Sequence, residues 1–513
     1  AIDYQLTAAK TLSQEIQLLS NGDGPLQYVV GYYYFDDELT GTFINQQVPR
    51  VIRSGALSAP LSLAQNGSGA YDQQEPETTS NAVYGQFTFR ATDRLSLTLG
   101  ARYTEDEKKF RFANANSVLP LATSTGGAFV GQQQPDTRLI TIATGGIPGS
   151  AFGTQGTTNC PATFVTGYNG GANAVPPGPG FFCGAPNGNV LLGATYDDET
   201  FSKTTYRAAV DFKLTDSNLL YASYSTGFRS GGFNSGQALA SVRTFLPEEV
   251  DAIEVGAKNR FLDDRLQLNV SAYFNEYENL QEQRQIPFGA TTISTIFNAA
   301  KAEAKGVEIE AEWAATDALT IGGTFAWLDA EYTSFPDVAL PFGTSILVTD
   351  ATATTPTVVN GVTIAPAGQR RLFAPGYSCG LVAGTGGAGQ PAAAFGCDLS
   401  GNSVPYSPKY TGSLYVGYDI PLGNGKLRPL VIATFSDEFY GQPTNAALER
   451  QESFVKADVR LTYEANRNWS AQVYVDNIGD EQTVNRMVWG GGGALQISVA
   501  PPRIYGVRVN YQY

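Results

Sequence analysis

The side chains with the most chemical potential in this chain are carboxylates, and they come in runs: Asp36-Asp37-Glu38 and Asp197-Asp198-Glu199. Two carboxylates can share acid and base roles when their surroundings push their pKa values apart. A cluster can also hold calcium when its oxygens are spaced around one ion. Neither run has such spacing, and both stand where a strand passes into a long loop, so solvated charge is the expectation. Histidine is absent from all 513 residues, which removes every His-dependent triad. No phosphate-cradling G-x-x-x-x-G-K loop is found. No catalytic set, metal site or cofactor is therefore expected. Two segments instead combine aromatics with a cation. Phe228-Arg229-Ser230-Gly231-Gly232-Phe233-Asn234 joins Phe228, Arg229, Phe233 and Asn234 through a pliable backbone, and Asn485-Arg486-Met487-Val488-Trp489 offers Arg486 and Trp489. Aromatic faces and guanidinium groups suit an anionic small molecule. A structural motif competes with that reading in the first segment, and an interfacial aromatic belt competes in the second.

The four cysteines, Cys160, Cys183, Cys379 and Cys397, form no C-x-x-C pair, so a zinc or redox motif is not expected. They fall as two local pairs, each inside one long loop. Disulfides Cys160–Cys183 and Cys379–Cys397 are expected, in an oxidising compartment; four unpaired loop thiols are the alternative.

The elements that must carry these residues alternate at period two. Leu266, Leu268, Val270, Ala272 and Phe274 share one face, and Arg265, Gln267, Asn269, Ser271 and Asn275 occupy the other. Val455 to Tyr463 and Tyr206 to Leu214 repeat the pattern. Glu308, Glu310 and Glu312 alternate with Val307, Ile309, Ala311 and Trp313. Charged residues make up 16% of the chain, against roughly 25% in soluble domains, while Tyr and Phe number 27 and 28. No run of apolar residues is long enough for a transmembrane helix. The net charge of −15 argues against nucleic acid as a partner.

Fifteen strands are expected, at about 12–20, 26–35, 81–90, 94–104, 203–214, 218–228, 249–261, 265–279, 303–313, 319–331, 409–420, 427–439, 453–464, 469–479 and 502–513. Short turns rich in Asp, Asn and Gly alternate with long loops at 36–80, 105–202, 229–248, 280–302, 332–408, 440–452 and 480–501. Short turns on one rim and long loops on the other describe an all-β, antiparallel transmembrane barrel of the bacterial outer membrane. Its partners would be outer-membrane lipid and lipopolysaccharide. With short turns in the periplasm, the first and last strands both run inward. An odd number of strands cannot close that way without leaving backbone unpaired in lipid. Either one strand escapes the alternation or the barrel continues upstream of Ala1, and the second is the expectation.

Several segments resemble the TonB-dependent receptors. They are Lys10 to Leu18 followed by Leu26 to Phe35, Asp93 to Thr104, Leu220 to Asn234, Pro247 to Phe261, Asn298 to Glu310, Val475 to Glu481 and Pro502 to Tyr513, spread over nearly the whole chain. The resemblance implies a 22-stranded barrel, of which this chain would supply strands eight to twenty-two, with an N-terminal plug that contacts the energy-coupling protein TonB. It implies energy-coupled uptake of a scarce small-molecule nutrient, such as a ferric siderophore. It also implies that the terminal aromatic strand, with Tyr511 and Tyr513, serves as a signal to the barrel-assembly machinery. Haem-uptake receptors of the family often offer a His ligand, so the lack of His points away from haem. The alternatives are a passive porin-like channel and a structural barrel subunit of a larger outer-membrane assembly. An outer-membrane enzyme would need a catalytic set that these residues do not supply.

Overall fold

The computed structural model of the chain describes residues 2–47, 51–53, 61–63, 68–118, 181–183, 190–234, 244–288, 291–335, 345–349, 352, 354–359, 362–365, 367–373, 380–383, 395–465, 468–489 and 495–511. Fifteen long strands cross one sheet: β1 Ile2–Leu19, β2 Leu26–Gln47, β3 Ser68–Arg90, β4 Leu95–Val118, β5 Val190–Thr215, β6 Asn218–Arg229, β7 Glu248–Phe261 and β8 Leu266–Phe288. They continue as β9 Thr291–Ala314, β10 Leu319–Ser334, β11 Tyr410–Tyr418, β12 Gly425–Ser436, β13 Phe454–Ala465, β14 Trp469–Asp476 and β15 Ile504–Tyr511. The sheet holds 17 segments, because Ile420–Leu422 prolongs β11 beyond a break at Asp419 and Phe181–Cys183 adds to β5 from a loop. Each of the fifteen pairs antiparallel with the next in sequence, a simple meander. Among the described residues, β1 pairs only with β2 and β15 only with β14, so the sheet has two free edges.

Register explains the amphipathicity. Directly paired positions Leu268, Ala311, Gly323, Leu414, Ala433 and Ala457 run as an apolar row from β8 to β13. One residue away, Gln267, Glu312, Gly322, Tyr415, Ile432 and Asp458 make a mainly polar row on the opposite face. A slip of one residue would exchange the two faces, which pins the register. Apolar side chains such as Leu99, Ile253, Leu414 and Val455 are exposed on the first face. On that face the apolar stretch of β7 to β10 stops at four directly paired carboxylates, Asp251, Glu276, Glu303 and Glu331. Like charges in opposed positions repel and need water, so this row marks where lipid ends on the long-loop side.

Above that level the ladders run further than the alternation indicates. β2 continues to Gln47, β3 begins at Ser68, β4 reaches Val118, and β8 and β9 meet near Phe288 and Thr291. The described parts of the expected loops 36–80, 105–202 and 280–302 that adjoin the wall are thus hairpin. Both faces are wet there, so polar residues occupy both and period two disappears from the sequence. The short turns behave as their chemistry requires. The hydroxyls of Thr92 and Thr316 each accept from two backbone N–H groups just downstream. Leu262, Asp263 and Asp264 take successive left-handed conformations.

At the short-turn rim, Asp419 accepts from Arg428 Nε at 2.5 Å and Nη2 at 2.8 Å, with Lys426 Nζ at 3.3 Å. The Arg428 guanidinium holds this carboxyl down at about 2, from an ordinary 3.8. A carboxyl depressed by folding stabilises the native state above its unfolded pKa, and that contribution is lost as pH falls from 3.8 through about 2. Acidification from pH 5 to pH 2 is expected to cost the wild type about 1 kcal/mol more than Asp419→Asn, after discounting for screening. Thermal midpoints of the two proteins at both pH values check this.

Candidate functional site

The long-loop rim carries both aromatic–cation segments. Phe228 and Arg229 end β6, paired with Glu249 and Glu248 of β7; Phe228 is half-buried and Arg229 exposed. The chain then folds down against the wall. Phe233 stacks on Phe110 of β4, ring centroids 6.1 Å apart. Lys108 Nζ donates to the Gly231 carbonyl at 2.7 Å. Burial pushes the pKa of this rim ammonium down. At Gly231 there is no room for a side chain, since a Cβ would strike the Phe201 ring and the Phe245 carbonyl. Gln281 closes the far side, donating to the carbonyls of Ser230 and Leu246 at 3.0 Å each.

Asn234 shows the recurring device of this rim. It is buried, its Oδ1 accepts from Ile296 N at 2.7 Å, and its Nδ2 donates to Ile296 O at 2.9 Å. One carboxamide thus satisfies both backbone groups of one residue, as a neighbouring strand would. Asn298 brackets Leu246 in the same way, at 2.5 and 2.6 Å. Asn445 brackets Ser403 at 2.8 and 3.0 Å, and Asn477 brackets Glu481 at 2.9 Å on both sides.

The second segment lies in a hairpin, Val484–Trp489 against Leu495–Val499. Arg486 is exposed, and the Trp489 backbone pairs with Leu495. Met487 between them is buried at 2% exposure and packs on Gly441. Its N–H donates to Tyr406 Oη at 2.7 Å and its carbonyl accepts from Gln442 Nε2 at 2.7 Å. Glu449, with 0% exposure, accepts from Ala446 N at 2.9 Å and from the Thr444 hydroxyl, which anchors the loop beneath the hairpin. A small core of Tyr332, Phe335, Leu399, Ala300 and Ala302 supports the rim between the two segments. Among the described residues no hydrogen bond joins the two segments themselves.

Sequence reading singled out Asn234 but passed over Gln281, Asn298, Asn445, Asn477 and Glu449. The available signal was position. Asn234, Asn298 and Asn477 each sit in one of the segments that carry the family resemblance. Cys160 and Cys379 lie outside the described residues, so the expected disulfides do too. Tyr511 ends β15, opposite Trp469, and Tyr513 lies outside the described residues.

A meander of long amphipathic strands, with short turns on one rim and braced loops on the other, defines a transmembrane β-barrel of the bacterial outer membrane. The match to the family described as "TonB dependent receptor-like, beta-barrel" extends over residues 3–478, and the chain belongs to that family. The probable TonB-dependent siderophore receptor PiuA of Acinetobacter baumannii (strain ATCC 19606) is 24% identical over 288 residues, covering 54% of this chain and 30% of that receptor. The fold is similar to the crystal structure of the ferric yersiniabactin uptake receptor FyuA from Yersinia pestis, with TM-score 0.60 and 15% identity over 99% of this chain and 54% of that one. It is also similar to that of PiuA from A. baumannii, with TM-score 0.59 and 17% identity over 99% and 56%. The chain therefore spans less than a third of the curated relative and about half of these solved structures.

Proposed function

We propose that this chain forms the wall and outer rim of a receptor that captures a ferric siderophore and takes it up with energy supplied through TonB. Family membership over residues 3–478 is the observation that carries the reading. The named relatives PiuA and FyuA, a probable siderophore receptor and a ferric yersiniabactin receptor, support it. Contact with TonB would run through a plug filling the lumen, and further strands would pair along the free edges of β1 and β15 to close the barrel. Small-molecule capture would fall to the exposed cations of the rim, Arg229 and Arg486, each held by a braced backbone, with Phe228, Phe233 and Asn234 in the segment of Arg229 and Trp489 on the strand of Arg486. A guanidinium presented this way suits the negative charge of a ferric catecholate or ferric citrate chelate.

The test is growth of an iron-starved deletion strain carrying the intact gene, supplied in turn with ferric enterobactin, ferrichrome and ferric citrate. At least one chelate is expected to restore growth. Arg229→Ala combined with Arg486→Ala should raise the chelate concentration needed about tenfold, for two lost charge-assisted contacts of partial strength. Growth restored by none of a wide panel, or restored equally without TonB, would overturn the reading in favour of a passive channel.

A further inference from the structure

On the lumen face, tyrosines lie flat across glycines of the neighbouring strand. Tyr84 of β3 covers Gly31 of β2, so that a Cβ on Gly31 would collide with Cζ and Oη of the phenol. The same arrangement, always between directly paired positions, joins Tyr221 to Gly256, Tyr273 to Gly306, Tyr415 to Gly322 and Tyr474 to Gly506. Lying over a glycine, the phenol reaches past one strand toward the next. Tyr84 Oη donates to Glu15 at 2.5 Å and accepts from Gln17 Nε2 at 2.7 Å, both on β1 and two strands away. Gln17 is the residue directly paired with Gly31. The Tyr415 hydroxyl crosses Gly322 of β10 and donates to Glu312 of β9, the residue directly paired with Gly322. The Tyr221 hydroxyl donates to Glu254 at 2.6 Å and also meets Ser271 of β8, which is paired with Gly256. At Tyr273 the residue paired with Gly306 is Leu328, which offers no polar atom, and no hydrogen bond of the Tyr273 hydroxyl is found among the described residues.

Tyr474 crosses Gly506 of β15, and β15 is a free edge among the described residues. Its hydroxyl also has no hydrogen-bond partner among the described residues. Backbone cannot stay unpaired in lipid, so in the closed barrel this edge pairs with a strand. We propose that the strand pairing with the free edge of β15 presents a carboxylate or carboxamide to the lumen beside Gly506, and that this group receives the Tyr474 hydroxyl. The seam of the barrel would then be fixed in register by the same clamp that joins β1 to β3 and β9 to β11.

The experiment uses the intact protein in outer-membrane fractions and reads the temperature at which its compact, unheated electrophoretic band is lost. Tyr→Phe removes only the hydroxyl and leaves the ring over the glycine. Tyr84→Phe and Tyr474→Phe are each expected to lower that temperature by about 2–4 °C, the shift of one lost hydrogen bond in a large domain. Tyr273→Phe should leave it within about 1 °C. A Tyr474→Phe protein that behaves like Tyr273→Phe would overturn the proposal, as would a Tyr84→Phe protein with no shift.

Discussion

Gly323→Ala is expected to leave almost no assembled barrel in the outer membrane. Gly323 sits in β10 between Ala311 of β9 and Leu414 of β11, at mid-height in the lipid-facing band. A Cβ there would land on the carbonyl oxygen of Ser413 and lie 3.3 Å from Leu414 Cα. Both are backbone atoms, so no rotamer change can clear them. The strands already approach closely at this point, with Thr324 Oγ1 and Ser413 Oγ 2.8 Å apart. The added methyl must therefore part β10 from β11. Overpacking alone costs about 1–3 kcal/mol. Separated ladder groups in lipid add several more, since no water replaces the lost bonds. Gly85→Ala is the control, because its Cβ would meet Phe87 and Val30 side chains at 3.5 and 3.7 Å, ordinary contact distances. The compact electrophoretic band of unheated outer membranes should fall more than about tenfold for Gly323→Ala and remain near wild type for Gly85→Ala.

The second large effect falls on the rim. Asn234→Leu keeps the volume of the side chain but strips Ile296 of both backbone partners. Two buried unsatisfied groups cost roughly 2–4 kcal/mol together. The wall below is held by its own ladders, so the loss is confined to the folded-down segment from Phe228 to Asn234. The barrel should keep its compact band, while capture of a growth-supporting ferric chelate weakens by an order of magnitude or more. Asn234→Asp keeps the acceptor and loses the donor, so it should fall between the two. Equal chelate-dependent growth from all three proteins would show that this segment does not shape the capture site.

These two positions also show what could be read from residues alone. All fifteen strands were legible where one face meets lipid, because period two survives only there. Tyr206 to Leu214 and Val455 to Tyr463 are such stretches. The upper halves of β2, β3 and β4 were not legible, because water bathes both faces and nothing selects alternate residues. The tyrosine–glycine clamps were hidden for another reason. Gly31 and Tyr84 belong to different strands with a long hairpin between them, and only the pairing register brings them together. The segment ending in Asn234 did stand out, with its glycines and aromatics. Its glycines turn out to be required by Phe201 and Phe245, and its asparagine completes a backbone ladder, a role that residue type alone does not separate from ligand contact.

The four asparagine brackets carry no charge. Ion pairs at exposed positions, such as Lys10 with Glu38 at 3.3 Å, fade as salt rises because mobile ions screen them. A carboxamide bonded to a peptide group is indifferent to ionic strength, and it does not titrate between strong acid and strong alkali. These four braces therefore do not register salinity or pH, unlike the Lys108 ammonium on the Gly231 carbonyl and the Glu449 carboxylate that brace the same rim. In a cell moved from dilute water to brine these four joints would stay as they are, and the charged contacts around them would be the ones to loosen.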